Sequence, residues 1–152
     1  MAAIVGLASG YDIAFISLME QLNKFYETSY PKQTIKHLLT NPRQVQKRDI
    51  MTHYPWRAFV LSFKADGQRC LLLLGSGGAE VLTERSVTKY AFSEGACDDE
   101  FIFETELVGS TFLCYDLHMA HGRKVFKQPY TQRLEIAAKV ISELKGVRFD
   151  GF

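Results

Sequence analysis

The sequence predicts an α+β domain with a mainly antiparallel sheet flanked by helices. An amphipathic helical segment stands near each end, and short apolar runs separated by glycine-bearing turns fill the middle. Strands do not alternate with long helices, as a parallel Rossmann sheet would require. With 152 residues, 47% of them hydrophobic, the chain has enough apolar side chain to build one domain's core.

The first helix is expected over Tyr11 to Tyr26, where Ile13, Ile16, Leu18, Met19, Leu22 and Phe25 recur near the helical period. Asp12 is its candidate N-cap, and Pro31 follows to break it. A second short helix is expected over Lys32 to Leu39, closed by Asn41-Pro42, and a third turn over Asp49 to His53. Strands are then expected at Ala58–Phe63, Arg69–Leu74, Glu80–Thr83, Val87–Phe92, Phe101–Val108 and Thr111–Leu117. Gly75-Ser-Gly-Gly78 and Gly109-Ser110 are the hairpin loops, and His121-Gly122 closes the next strand. The last helix runs from Tyr130 to Leu144, with Leu134, Ile136, Ala137, Val140, Ile141 and Leu144 on one face. Thr131 is its candidate cap and Gly146 its C′ residue. Two regions result: an N-terminal helical segment, 1–40, and a domain over 41–152.

Lysine and arginine number 18 against 17 acidic residues, a net charge of +1 that argues against a strongly basic nucleic-acid clamp and leaves room for a local basic groove. No run of 18 apolar residues occurs, so no membrane span is expected. The start of the chain lacks the charged region of a signal peptide. Cys70, Cys97 and Cys114 form no CxxC pair, which suits free thiols in a reducing, intracellular compartment.

Three segments can carry chemistry. In Phe63-Lys64-Ala-Asp66-Gly67-Gln-Arg69, a lysine leaves a strand just before an Asp-Gly turn. Lost exposure and neighbouring cations would depress its pKa and free a nucleophilic amine, with Arg69 facing a phosphate. A surface turn carrying one lysine is the commoner outcome of such spacing. In Glu104-Thr-Glu106-Leu-Val, strand periodicity puts both carboxylates on one face, either solvated or turned to a metal or ribose. In Phe112-Leu-Cys-Tyr115-Asp-Leu, the aromatics are core, or Tyr115 stacks on a base.

Together these segments resemble the covalent nucleotidyltransferases: mRNA capping guanylyltransferases and ATP-dependent DNA and RNA ligases. Lys64-Ala-Asp-Gly-Gln-Arg69 matches the KxDGxR pattern of motif I. Phe103-Glu-Thr-Glu106-Leu-Val resembles motif III, and Phe112-Leu-Cys-Tyr-Asp-Leu117 resembles motif IIIa. Pro129-Tyr-Thr-Gln-Arg-Leu134 is similar to the tail that follows IIIa in capping enzymes. Val81-Leu-Thr-Glu-Arg85 and the lead-in from Asn41 to Tyr54 also resemble capping enzymes more than ligases. The likeness spans about residues 41 to 145.

The resemblance implies a nucleotidyltransferase domain of the ATP-grasp-like ligase and capping kind. It makes Lys64 the nucleophile that takes GMP from GTP as a lysyl-N-GMP intermediate and passes it to a diphosphate RNA 5′ end. It implies nucleotide contacts for Arg69, Arg85, Glu106 and Tyr115, with Asp66 orienting the loop and Glu106 meeting ribose or the metal. GTP and Mg²⁺ or Mn²⁺ are the implied cofactors. The RNA 5′ end and other capping subunits or domains are the implied partners. Capping places such a protein in the nucleus, or in the cytoplasm for a virus that replicates there. Glu104 and Thr105 depart from the family's Asp-Gly, and neither motifs IV to VI nor an OB-fold is evident, so a partial domain is expected. The alternatives are an ATP-dependent ligase adenylation domain and a noncatalytic interaction module on the same fold.

Overall fold

A computed structural model of the chain describes residues 13–40, 46–48 and 64–150. Helix α1 spans Ile13–Tyr26, followed by strands β1 (Gln68–Gly75), β2 (Gly78–Leu82), β3 (Val87–Tyr90), β4 (Phe92–Glu94), β5 (Phe101–Val108), β6 (Thr111–Ala120) and β7 (Arg123–Lys124). Helix α2 (Tyr130–Glu143) and strand β8 (Arg148–Phe149) complete it. Six strands form one sheet in the order β3-β2-β1-β5-β6-β7, with every adjacent pair antiparallel. Strands β4 and β8 pair separately, Phe92 opposite Phe149 with their rings stacked 5.7 Å apart.

Strand β1 shows why its apolar run is unbroken: it is buried on both faces. Leu71 joins Phe15, Met19, Leu22, Ile35, Leu82 and Ile102 in a core beneath α1, with Leu73 packed at its edge. Cys70, Leu72 and Leu74 point the other way, to Phe103, Leu117 and the α2 residues Ala137 and Val140. The sheet is thus sandwiched between one helix on each side, and the period-2 alternation of side chains assigns each β1 residue to its layer.

Helix α1 ends at Tyr26, where expected, and several later elements differ from expectation for local reasons. Helix α1 ends well before Pro31: Glu27 takes a left-handed φ of 58°, and Thr28 N–H donates to the Asn23 carbonyl at 2.9 Å. The Asn23 side chain, buried beneath, accepts from Thr28 and Tyr30 and donates to the Tyr30 carbonyl, which fixes the stop. Residues 32–39 form turns, not a helix. Leu38 and Leu39 N–H both converge on the Ile35 carbonyl, one turn that is not propagated. The strand expected over Val87–Phe92 breaks at Ala91, which sends β3 and β4 to different sheets. Pro129 caps α2, not Thr131, and no side chain bonds the cap. Leu144, not Gly146, marks its other end, where its N–H bonds the Val140 carbonyl. Ile141, expected on the buried face of α2, is 45% exposed. The β1–β2 and β5–β6 hairpins turn where expected, with Gly75 opposite Gly78 and Val108 opposite Thr111. Asp12, the strand over 58–63, the turn over 49–53 and most of the lead-in over 41–54 lie outside the described residues.

No helix among the described residues is long and apolar enough to cross a membrane. Leu71 is fully buried between α1 and the sheet. Leu71→Ala should therefore cost about 2–5 kcal/mol, read as a lower urea midpoint at unchanged slope.

Candidate functional site

The antiparallel register gathers the motif residues at one end of the sheet. Lys64 stands just ahead of β1. Arg69 on β1 lies opposite Glu106 on β5, which lies opposite Leu113 on β6. Gly67 N–H donates to a carboxylate oxygen of Glu106 at 2.9 Å. This needs glycine: a Cβ on residue 67 would sit 2.2 Å from the Leu107 carbonyl oxygen. The Asp-Gly pair stands between Lys64 and the start of β1. It is the point where the loop carrying Lys64 is pressed onto β5. Arg85 is exposed in the loop between β2 and β3. With Leu82 opposite Leu71, that loop opens toward the same end of the sheet.

Lys64 itself differs from the expectation of a depressed pKa. Its side chain is 84% exposed and its Nζ lies 2.5 Å from Asp66 Oδ1. The hydrogen bond and charge of Asp66, with a smaller contribution from Glu106, raise the amine's pKa above its ordinary value. Asp66 is correspondingly held below the usual carboxylate range by Lys64. The surrounding charge is anionic, so the two conditions that would free the amine are not met by the described residues.

Behind this end lies a buried polar cluster that sequence reasoning did not assemble. Glu104, only 1% exposed, lies opposite Asp116. Its carboxylate accepts from Thr40 N–H at 2.5 Å, from the Thr40 hydroxyl at 3.0 Å and from the Tyr115 hydroxyl at 3.3 Å. His118 Nε2 lies 3.3 Å from Glu104 Oε2 and 3.5 Å from Asp116 Oδ2. Its Nδ1 meets the Tyr26 hydroxyl of α1 at 2.5 Å. Arg133 of α2 grips both Asp116 oxygens, at 2.8 and 3.0 Å. The two carboxylates are balanced by one guanidinium and, when protonated, one imidazolium.

The pairing register explains how Tyr115 and His118 come to serve this cluster. The β5–β6 pairing shifts between Glu104 and Thr105 and again between Ile102 and Phe103. Tyr115 and His118 are the residues skipped at those shifts. A bulge re-aims the side chain it releases, and strict alternation is lost. Tyr115, expected to stack on a base, has its hydroxyl tied to Glu104 while Tyr130 donates to its backbone carbonyl at 2.7 Å. Burial, with Glu104 nearby, pushes its hydroxyl pKa up, so it remains a donor at neutral pH. The sequence carries only a partial signal for the cluster: Asp116 and His118 stand as polar residues inside a mostly apolar strand, without showing which distant groups they meet.

His118 is pulled down by burial, but hydrogen bonds and charge from Asp116 and Glu104 outweigh this and raise its pKa. Asp116 is pushed up by burial, but His118 and Arg133 hold it below the usual carboxylate range. The three thiols are buried or half-buried and unpaired, as expected, and burial pushes Cys114 up to about 12. None is a thiolate at neutral pH.

Glu104, Asp116 and His118 present ligand-type atoms within 4.8 Å of one another. Their donor set does not suit a cation. Arg133 already occupies both Asp116 oxygens, and Thr40, Tyr115 and His118 occupy Glu104.

Comparison with known protein families, with curated proteins and with solved structures found no match.

The cluster makes stability pH-dependent with a definite sign. A histidine whose pKa is raised on folding contributes fully below its unfolded pKa, near 6.5, and loses that contribution as pH rises through the folded value. The urea midpoint of the wild type should fall as pH is taken from 6 toward 9, and a His118→Gln variant should lack that fall. A parallel fall in both would assign the effect to other groups.

Proposed function

We propose that the chain carries the nucleotide-accepting end of an mRNA guanylyltransferase. The observation that supports it is the junction of Gly67 with Glu106, which puts the two segments resembling motifs I and III at one end of one sheet. Arg69 is beside them, and the charges of Arg69 and Glu106 both act on Tyr115.

In this reading the free amine of Lys64 attacks the α-phosphorus of GTP. A P–N bond forms, the P–O bond to the β-phosphate breaks, and pyrophosphate leaves. A diphosphate RNA 5′ end then displaces GMP from the lysine. Lys64 must first lose a proton, and Asp66 is the carboxylate within reach of Nζ. Arg69 and Arg85 contact the sugar or phosphates, Tyr115 borders the base, and Glu106 holds the ribose or the metal. Mg²⁺ in such a site neutralises charge on the phosphates of the transferring nucleotide.

A second reading, a noncatalytic module on this fold, is favoured by one observation: Lys64 is exposed and ion-paired, as a spent nucleophile would be.

Covalent labelling separates them. Incubation with Mg²⁺ and α-labelled GTP should leave label on the denatured wild type, and none on Lys64→Ala or Lys64→Arg. Label persisting in either variant would overturn the assignment, label from α-labelled ATP alone would indicate a ligase, and no label would favour the noncatalytic module. Because Asp66 raises the pKa of Lys64, labelling should quicken as pH rises through the alkaline range. Asp66→Asn should move that rise to lower pH.

A further inference from the structure

Arg69 is half-buried on β1, yet its guanidinium is held by a residue far away in the chain. Its Nη1 donates to the backbone carbonyl of Thr40. Thr40 is in turn clamped at two points by Glu104: its N–H donates to Oε1 and its hydroxyl to Oε2. Glu104 is anchored on its remaining sides by the Tyr115 hydroxyl at 3.3 Å on Oε1 and by His118 at 3.3 Å on Oε2. A carboxylate has about four lone-pair directions, and here each oxygen meets two donors. Glu104 is therefore committed to bracing Thr40, in a position where the resemblance would put a shorter aspartate. The extra methylene gives the carboxylate its reach to the Thr40 segment.

We propose that Thr40, braced by Glu104, is a positioning residue that orients Arg69 for the nucleotide. This rests on the reading of the Lys64 end as a nucleotide site. An arginine free in solvent loses much rotamer freedom when it grips a phosphate or sugar. Fixing one edge of the guanidinium on the Thr40 carbonyl removes that cost before the ligand arrives and turns the other edge toward it. The brace acts through Arg69, so it should matter for nucleotide affinity and cease to matter when the guanidinium is removed.

A double-mutant cycle on the full chain tests this, with GTP binding read by equilibrium dialysis in MgCl₂. Thr40→Val removes the hydroxyl clamp, Thr40→Ser keeps it, and Arg69→Ala removes the guanidinium. Thr40→Val is expected to weaken GTP binding about fivefold, and Thr40→Ser to stay within about twofold of wild type. In the Arg69→Ala background, Thr40→Val should add less than about a further twofold. Thr40→Ala should repeat the behaviour of Thr40→Val, so that a folding failure of one variant leaves the other to decide. Equal weakening in both backgrounds, or no weakening by either variant, would overturn the positioning role. Wild type that binds no GTP would overturn both this role and the nucleotide site. Wild type that binds GTP with the expected coupling, but takes no label on Lys64, would overturn the transfer reaction alone.

Discussion

The contact on which the rest of the structure depends is the buried pairing of Glu104 and Asp116 around His118. Two carboxylates facing each other across β5 and β6 would repel strongly in a dry interior. They are tolerated because cations and neutral donors surround them: Arg133 from α2, His118 and Tyr115 from β6 and Thr40 from the segment after α1, with Tyr26 of α1 meeting His118 in turn. These groups come from both helices, the sheet and the segment after α1. The cluster therefore ties both helices and the Thr40 segment to the centre of the sheet. Removing one partner would leave a buried charge unpaired, which is costlier than the pair is worth as a bond.

That arrangement also sets the chemistry of the outer end. On one strand, Glu104 faces inward to the cluster while Glu106, two residues on, receives the Gly67 N–H beside Lys64. One residue braces and the other faces the loop. Arg69 connects the two, lying opposite Glu106 and donating to the Thr40 carbonyl that Glu104 positions. The pKa directions follow the same division. His118 gains affinity for its proton from buried carboxylates, and Lys64 gains it from an exposed one.

Strand β5 was legible to the residue, because a clear apolar-and-charged run ends at a Gly-Ser hairpin. The Lys64–Arg69 segment was legible because its residues are contiguous. The cluster was not. Tyr26 and His118 are 92 positions apart, and Thr40 and Glu104 are 64 apart, separations no local pattern encodes. The bulges on β6 compound this, since the alternation that assigns faces slips at Tyr115 and His118. The end of α1 at Tyr26 was legible from its apolar spacing, but the interaction that fixes it was not. Pro31 is a visible stop, but the chain turns earlier because the Asn23 amide bonds Thr28 and Tyr30. The expected depressed pKa of Lys64 failed because sequence shows that Asp66 is near without showing that it reaches the amine.

The central claim is that Lys64 accepts the nucleotide. Peptide mapping by mass spectrometry, under neutral conditions that preserve a phosphoramidate, tests it most directly on protein incubated with GTP and Mg²⁺. The account predicts GMP on the peptide containing Lys64 and on no other lysine. A nucleotide found on a different residue, or none on any peptide, would contradict it.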